Sequence, residues 1–165
     1  MTYTGAILAL DLARVAGFAC GRPGETPVHG SVMFAKDGAS MAAVLHGCRS
    51  WLRSYLIANP QIQLIVFEAP LLASFKRGKT TNATTRQLIG LCAVVEELLY
   101  SLTGYDVREA MVVRVRSHFI GSNPKRARAK AMTVAMCRMR GWDPEDDNAA
   151  DALALWDYQC SFVGG

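Results

Sequence analysis

Apolar residues along this chain follow two periods. Ala6-Ile7-Leu8-Ala9-Leu10 and Ile62-Gln63-Leu64-Ile65-Val66-Phe67 are short, nearly continuous apolar runs, closed by Asp11 and Glu68. Runs of this length mark buried strands, predicted over 6–12 and 62–68, the latter covered on both faces. Segments 15–21 and 28–35, divided by the turn-forming Gly21–Pro27 region, predict two more strands. These make an antiparallel meander that returns twice past Asp11. Elsewhere the period lengthens. Met41, Val44, Leu45, Cys48, Trp51, Leu52, Tyr55 and Leu56 repeat at helical spacing and predict a helix over 39–58, ended by Asn59-Pro60. A second helix is predicted over 83–102, with Leu88, Leu91, Cys92, Val95, Leu98, Leu99 and Leu102 as its stripe and Gly104 as its stop. A strand over 106–113, a short helical turn to Ile120 and a break at Gly121-Ser122-Asn123-Pro124 follow. The next helix, 125–140, carries Met132, Ala135, Met136 and Met139 on one face, with Arg126, Lys130, Thr133 and Arg140 opposite. A last helix runs from 148 to about 160. The order of elements predicts a three-layer α/β domain spanning 1–165: a mixed five-stranded sheet with helices on both faces, and strands one and four as neighbours.

Composition agrees with one folded domain. The chain has 165 residues, 51% hydrophobic and 19% charged, enough for one substantial core and too apolar for disorder. No apolar run reaches the ~18 residues of a membrane span, and no signal-type start is present. A cytoplasmic protein of bacterial or phage context is expected. Five cysteines, none in a CxxC pair, read as buried free thiols. Three scattered histidines exclude a zinc site of ordinary spacing.

Charge changes the picture more. The net value is only +4, but it is unevenly placed. Residues 75–87 hold Lys76, Arg77, Lys79 and Arg86 without an acid, and 108–140 hold nine basic residues against Glu109 alone. Residues 142–157 hold only acids. Basic surface beside an acidic centre suits a polyanion held over a metal.

The candidate chemistry lies in three acids in apolar settings. Asp11 and Glu68 each end a buried strand, and Asp151 sits in the helical run Asn148-Ala149-Ala150-Asp151-Ala152-Leu153-Ala154. A carboxylate in such a place needs a cation. No basic residue is beside any of the three in sequence, and hard oxygen donors suit Mg²⁺, with Mn²⁺ as its substitute. Asp146 and Asp147 have two readings, capping of the last helix or ligation by Asp147, which is four residues before Asp151. Gly78-Lys79-Thr80 is not a phosphate loop, since Ala73 stands where the motif needs glycine.

These residues resemble those of the RNase H-like nucleases, and most closely the RuvC-like Holliday-junction resolvases, from about Ala6 to Asp157. Leu8-Ala9-Leu10-Asp11 with Ala16-Gly17-Phe18-Ala19 is similar to the family's first strand and its return. Ile65-Val66-Phe67-Glu68 is similar to the strand bearing the second acid, and Asn148–Ala154 to the closing helix. Gly121-Ser122-Asn123-Pro124-Lys125 is similar to a Gly-Ser loop whose lysine joins the site, and Arg114 stands where another basic residue is expected. Leu71 takes the place of a stacking aromatic, with Phe75 the nearest one. The resemblance implies a metal-dependent endonuclease that cuts branched DNA as a homodimer. Asp11, Glu68, Asp151 and Asp147 would share two metals, with the fourth ligand open between Asp147 and Asn148. Lys125 would be catalytic, and Phe75, Lys76, Arg77, Lys79, Arg86, Arg114, Arg116, Arg126 and Lys130 would meet DNA. Two alternatives stay open on the sequence: a catalytically silent nucleic-acid-binding module on the same fold, and a nuclease of RNA–DNA hybrids or of the packaging type.

Overall fold

The computed structural model describes residues 3–70 and 82–163. Its elements are β1 (Ala6–Asp11), β2 (Val15–Gly21), β3 (Val28–Met33), α1 (Met41–Ala58), β4 (Ile62–Glu68), α2 (Asn82–Leu102), β5 (Asp106–Ala110), α3 (Val112–Ile120), α4 (Arg126–Met139) and α5 (Asp147–Cys160). The strands form one mixed sheet in the order β3-β2-β1-β4-β5. β1, β4 and β5 are parallel, while β2 and β3 complete the sheet as an antiparallel meander. This is the expected α/β architecture, with β1 beside β4. Only β2 pairs with Asp11, however; β3 lies one strand farther out, because each return of a meander adds to the outside of the last.

Side-chain alternation along the strands divides the core. Leu8 and Leu10 of β1, with Ile65 and Phe67 of β4, pack against the residues of α1 and α2. Ile7 and Ala9, with Leu64 and Val66, pack against those of α3, α4 and α5. One more step along each strand puts Asp11 and Glu68 on the second face. Both acids therefore aim at the layer that contains α5.

Two elements differ from expectation. The strand predicted over 106–113 ends at Ala110, and Val112 begins α3. β-branched Val112 and Val113 read as strand, but Val115 and Phe119, one helical turn apart, are the residues that bury. In α4 the buried face is Ala129, Thr133 and Cys137, not the methionine face. Met132 and Met136 pack at the margin of the core, and Met139 is 80% exposed. Thr133 can enter because its hydroxyl donates to the Ala129 carbonyl at 2.8 Å, which satisfies it locally. The small residues let α4 sit close to α5, with Cys137 Sγ 3.8 Å from the Ala150 carbonyl. All five cysteines are free thiols, four buried and Cys160 half-buried.

Candidate active site

The β1–β4 register pairs Leu10 with Phe67, one residue before each acid. Asp11 and Glu68 thus end adjacent parallel strands, whose spacing is about 4.8 Å. On its other side Asp11 pairs with Gly17 of β2. The first turn of α5 crosses the sheet at that glycine. A Cβ on Gly17 would lie 1.8 Å from the Asn148 carbonyl oxygen, so only glycine permits the approach. Ala149, Ala150 and Ala152 continue the close contact, each fully buried. The result is that the charge of Asp151 acts on both Asp11 and Glu68 at the ends of β1 and β4.

The start of α5 is held from below. Asp146 is its N-cap, with Oδ1 accepting the Ala149 N–H at 2.8 Å. The same carboxylate accepts from the Ser31 hydroxyl of β3 at 2.6 and 2.7 Å. Glu145 accepts the backbone N–H of Ser31. This clasp joins the edge strand to the helix bearing Asp147 and Asp151. Capping and the candidate site are thereby divided between neighbours: Asp146 caps, and the Asp147 carboxylate accepts from Lys130 at 2.7 Å.

The carboxylates feel one another. Burial, then the charges of Asp151 and Glu68, push the Asp11 pKa up to about 8, against a smaller pull from Lys130. Burial and Asp151 push Glu68 up to about 7, opposed by Arg116, Lys130 and Arg126. Burial also raises Asp151, with Lys130 pulling the other way. Asp147, half-exposed, is lowered by its hydrogen bond to Lys130. For Lys130 itself burial acts downward, but the bonds and charges of Asp147 and Asp151 raise it overall. Burial, reinforced by the neighbouring carboxylates, thus disfavours full ionisation of Asp11, Glu68 and Asp151.

Asp11, Glu68, Asp151 and Asp147 act on one another through their charges, and Lys130, Arg116 and Arg126 act on them in turn. Lys130 stands out: its ammonium spans Asp147 and Asp151, at 2.7 and 3.4 Å. The sequence shows it only as one of several basic residues on a helix, since its partners are 17 and 21 residues away. Lys125 is exposed at the N-cap of α4, after Gly121 ends α3 in the left-handed region at φ 73°. Arg114 is exposed on α3; its neighbour Arg116 is the α3 residue whose charge reaches Glu68 and Asp151. Arg86 is exposed on α2. Phe75, Lys76, Arg77 and Lys79, with Leu71, lie outside the described residues.

The donor chemistry fits a divalent cation: hard carboxylate oxygens, partly withdrawn from water and mutually repelling when ionised. Asp11, Glu68 and Asp151 would hold it, with Asp147 at the rim. Among the described residues no three carboxylate, imidazole or thiol groups are gathered closely enough to hold an ion as they stand. Loading would require the carboxylates to close inward, and Lys130 is paired with two of them. Among the described residues no helix is long and apolar enough to cross a membrane.

No protein-family model matches the chain, and no curated protein matches it in sequence. Solved structures do match in fold. Thermus thermophilus RuvC is 13% identical, with 96% of this chain and 95% of that chain covered and a TM-score of 0.67. T. thermophilus RuvC in complex with Holliday junction substrate is 11% identical over 98% and 96%, with a TM-score of 0.72. The yeast mitochondrial Holliday junction resolvase Ydc2 is 11% identical over 96% and 78%, with a TM-score of 0.67. At these identities the likeness is one of fold, shared with RuvC and Ydc2 along nearly the full chain.

Proposed function

We propose that this protein is a RuvC-like, divalent-metal-dependent endonuclease that resolves four-way DNA junctions by paired phosphodiester hydrolysis. The observation that supports this reading is that Asp11 and Glu68 end adjacent parallel strands and that the charge of Asp151, on α5, acts on both, in a fold shared with junction resolvases. A silent module has no need of three mutually repelling acids in partly buried places, which a bound divalent cation or protonation must relieve. Bound Mg²⁺, two ions in the reading from resemblance, would supply an activated water and neutralise charge on the leaving oxygen. The chain's own residues do the rest. Asp11 and Glu68, fixed by the sheet, set where that chemistry occurs. Arg116 and Arg126, whose charges act on Glu68, and Lys125 at the N-cap of α4 would hold the phosphate in line and offset its charge. A two-fold homodimer would set two such sites against the two-fold symmetry of a junction.

Cleavage of a four-way junction, a linear duplex and an RNA–DNA hybrid, each with Mg²⁺, Mn²⁺ or EDTA, tests the proposal. Metal-dependent, paired nicks confined to the junction are the expected result. Equal cutting of linear duplex or hybrid would point to a general or hybrid nuclease, and junction binding without cutting in either metal to a silent module. Light scattering with and without junction DNA tests the dimer; a persistent monomer would exclude paired cutting within one complex.

A further inference from the structure

Lys130 stands in the site in a way that a DNA-contacting lysine has no need to. It reaches from the second turn of α4 to two carboxylates one turn apart on α5, and its side chain is only 26% exposed. Among the described residues it is the sole cation in ion-pair contact with any of the four acids. Asp151 is also the acid whose charge acts on both Asp11 and Glu68. An ammonium bonded to Asp151 and a divalent ion shared through Asp151 compete for the same lone pairs. They also repel each other across a few ångströms of partly desolvated space, where a charge acts more strongly than in water.

Resting on the metal-dependent reading above, we infer that Lys130 is an exchangeable counter-ion. It holds Asp147 and Asp151 in the metal-free protein, is displaced as the divalent ion loads, and is then free to grip a DNA phosphate. Space for the displaced arm is present. A groove of about 410 Å³ runs along the outer face of α4 beside Lys130, lined by Ala131, Val134, Ala135 and Arg138, with Asp147 at its edge. The small side chains of Ala131 and Ala135 keep it open. Arg138, which also lines it, is engaged among the described residues by a loose ion pair to exposed Asp143, at 3.6 Å. Metal loading would in this way convert a cation spent on the protein's own acids into one offered to the polyanion.

Mn²⁺ titration by calorimetry of the DNA-free full chain tests the exchange, using wild type, Lys130→Met, Lys130→Arg and, to report on the site itself, Glu68→Gln. Lys130→Met is expected to bind Mn²⁺ roughly tenfold more tightly than wild type, since a charged hydrogen bond no longer has to be broken. Lys130→Arg keeps a competing cation and gains no affinity. Melting provides the second readout. Lys130→Met melts lower than wild type in EDTA but not in Mn²⁺, whereas a purely structural lysine would lower both. On junction DNA, Lys130→Met flattens the salt dependence by about one unit of slope in Ca²⁺ and leaves it unchanged in EDTA. Unchanged or weaker Mn²⁺ binding by Lys130→Met, with Glu68→Gln still losing the ion, overturns the exchange and leaves the metal site standing. The same slope change with and without Ca²⁺ also overturns it. Mn²⁺ bound by none of the proteins overturns the metal site and the exchange together.

Discussion

Glu68 follows six residues of which only Gln63 is exposed, and it is half-buried itself. Its amide analogue has nearly the same shape and no charge, so Glu68→Gln separates packing from chemistry. Cleavage is expected to fall by roughly a thousandfold or more, equivalent to about 4 kcal/mol of transition-state stabilisation, while junction affinity stays within a few-fold. Gel-based cleavage beside a binding titration in Ca²⁺ checks both; retained cutting would remove Glu68 from the centre. The same residue bears on pH. The folded-state values of Asp11 and Glu68, about 8 and about 7, lie above their ordinary 3.8 and 4.5. The folded protein therefore holds protons that the unfolded chain releases. The stability these groups contribute is complete below about pH 4 and is lost as pH rises through 7 to 8. Metal-free protein is expected to melt at least about 5 °C lower at pH 8 than at pH 5, and millimolar Mg²⁺ to recover most of that difference. Differential scanning fluorimetry in EDTA and in Mg²⁺ measures it; a melting point that rises to pH 8 in EDTA would mean the acids do not share a desolvated site.

At the scale of elements, the site depends on how closely α5 lies on the sheet. Gly17 pairs with Asp11 on one side and supports the Asn148 carbonyl on the other. Gly17→Ala must push a helix backbone off a strand backbone, and neither is a flexible side chain that can yield. A loss of about 3 kcal/mol is expected in urea denaturation, with cleavage falling further because Asp151 moves with the helix. Wild-type stability in this variant would show that α5 is not seated on β2.

Much of this arrangement is legible in the sequence. The strand and helix periods locate every element to within a few residues, and strand alternation puts Asp11 and Glu68 on one face once β1 and β4 are paired. What stays out of reach depends on distant residues meeting. The inward face of α4 is hidden because Thr133 satisfies its own hydroxyl and small residues, not methionines, make the tight contact. Lys130 is hidden because helical spacing ranks it with the solvated face. Arg116 rather than Arg114 reaching the acids turns on the rotation of α3, which begins at Val112, inside the predicted strand. Ser31 gives no signal at all, since its partners are more than a hundred residues away.

For the whole molecule, a net charge of +4 understates the field around the site. Arg116 and Arg126 act on the acids through their charges, and Arg86, Arg114 and Lys125 add exposed positive charge on α2, α3 and at the N-cap of α4. A polyanion meets the basic surface before it meets the acids, so affinity should be electrostatic. Replacing Lys76, Arg77 and Lys79 together by alanine is expected to flatten the plot of log affinity against log salt by up to about three units, one for each phosphate left without its cation. Fluorescence anisotropy on a fixed junction across a salt series gives that slope, and an unchanged value would take residues 75–87 out of the interface.

The Ser31 clasp makes the helix start observable from a distance. β3 is an edge strand, and outward amides on such an edge ordinarily exchange their hydrogens with solvent quickly. The Ser31 amide is instead held by Glu145, while its hydroxyl holds the cap of α5. Its exchange rate then reports how often the start of α5 lifts from the sheet, taking Asp147 and Asp151 with it. In amide exchange followed by NMR, Ser31 is expected to be slower than the outward-facing amides beside it on β3. It should slow further when diamagnetic Mg²⁺ is added to saturation, and lose its protection in Glu145→Gln or Asp146→Ala. A single amide on the far edge of the sheet would thus time the assembly of the carboxylate centre, with no substrate present.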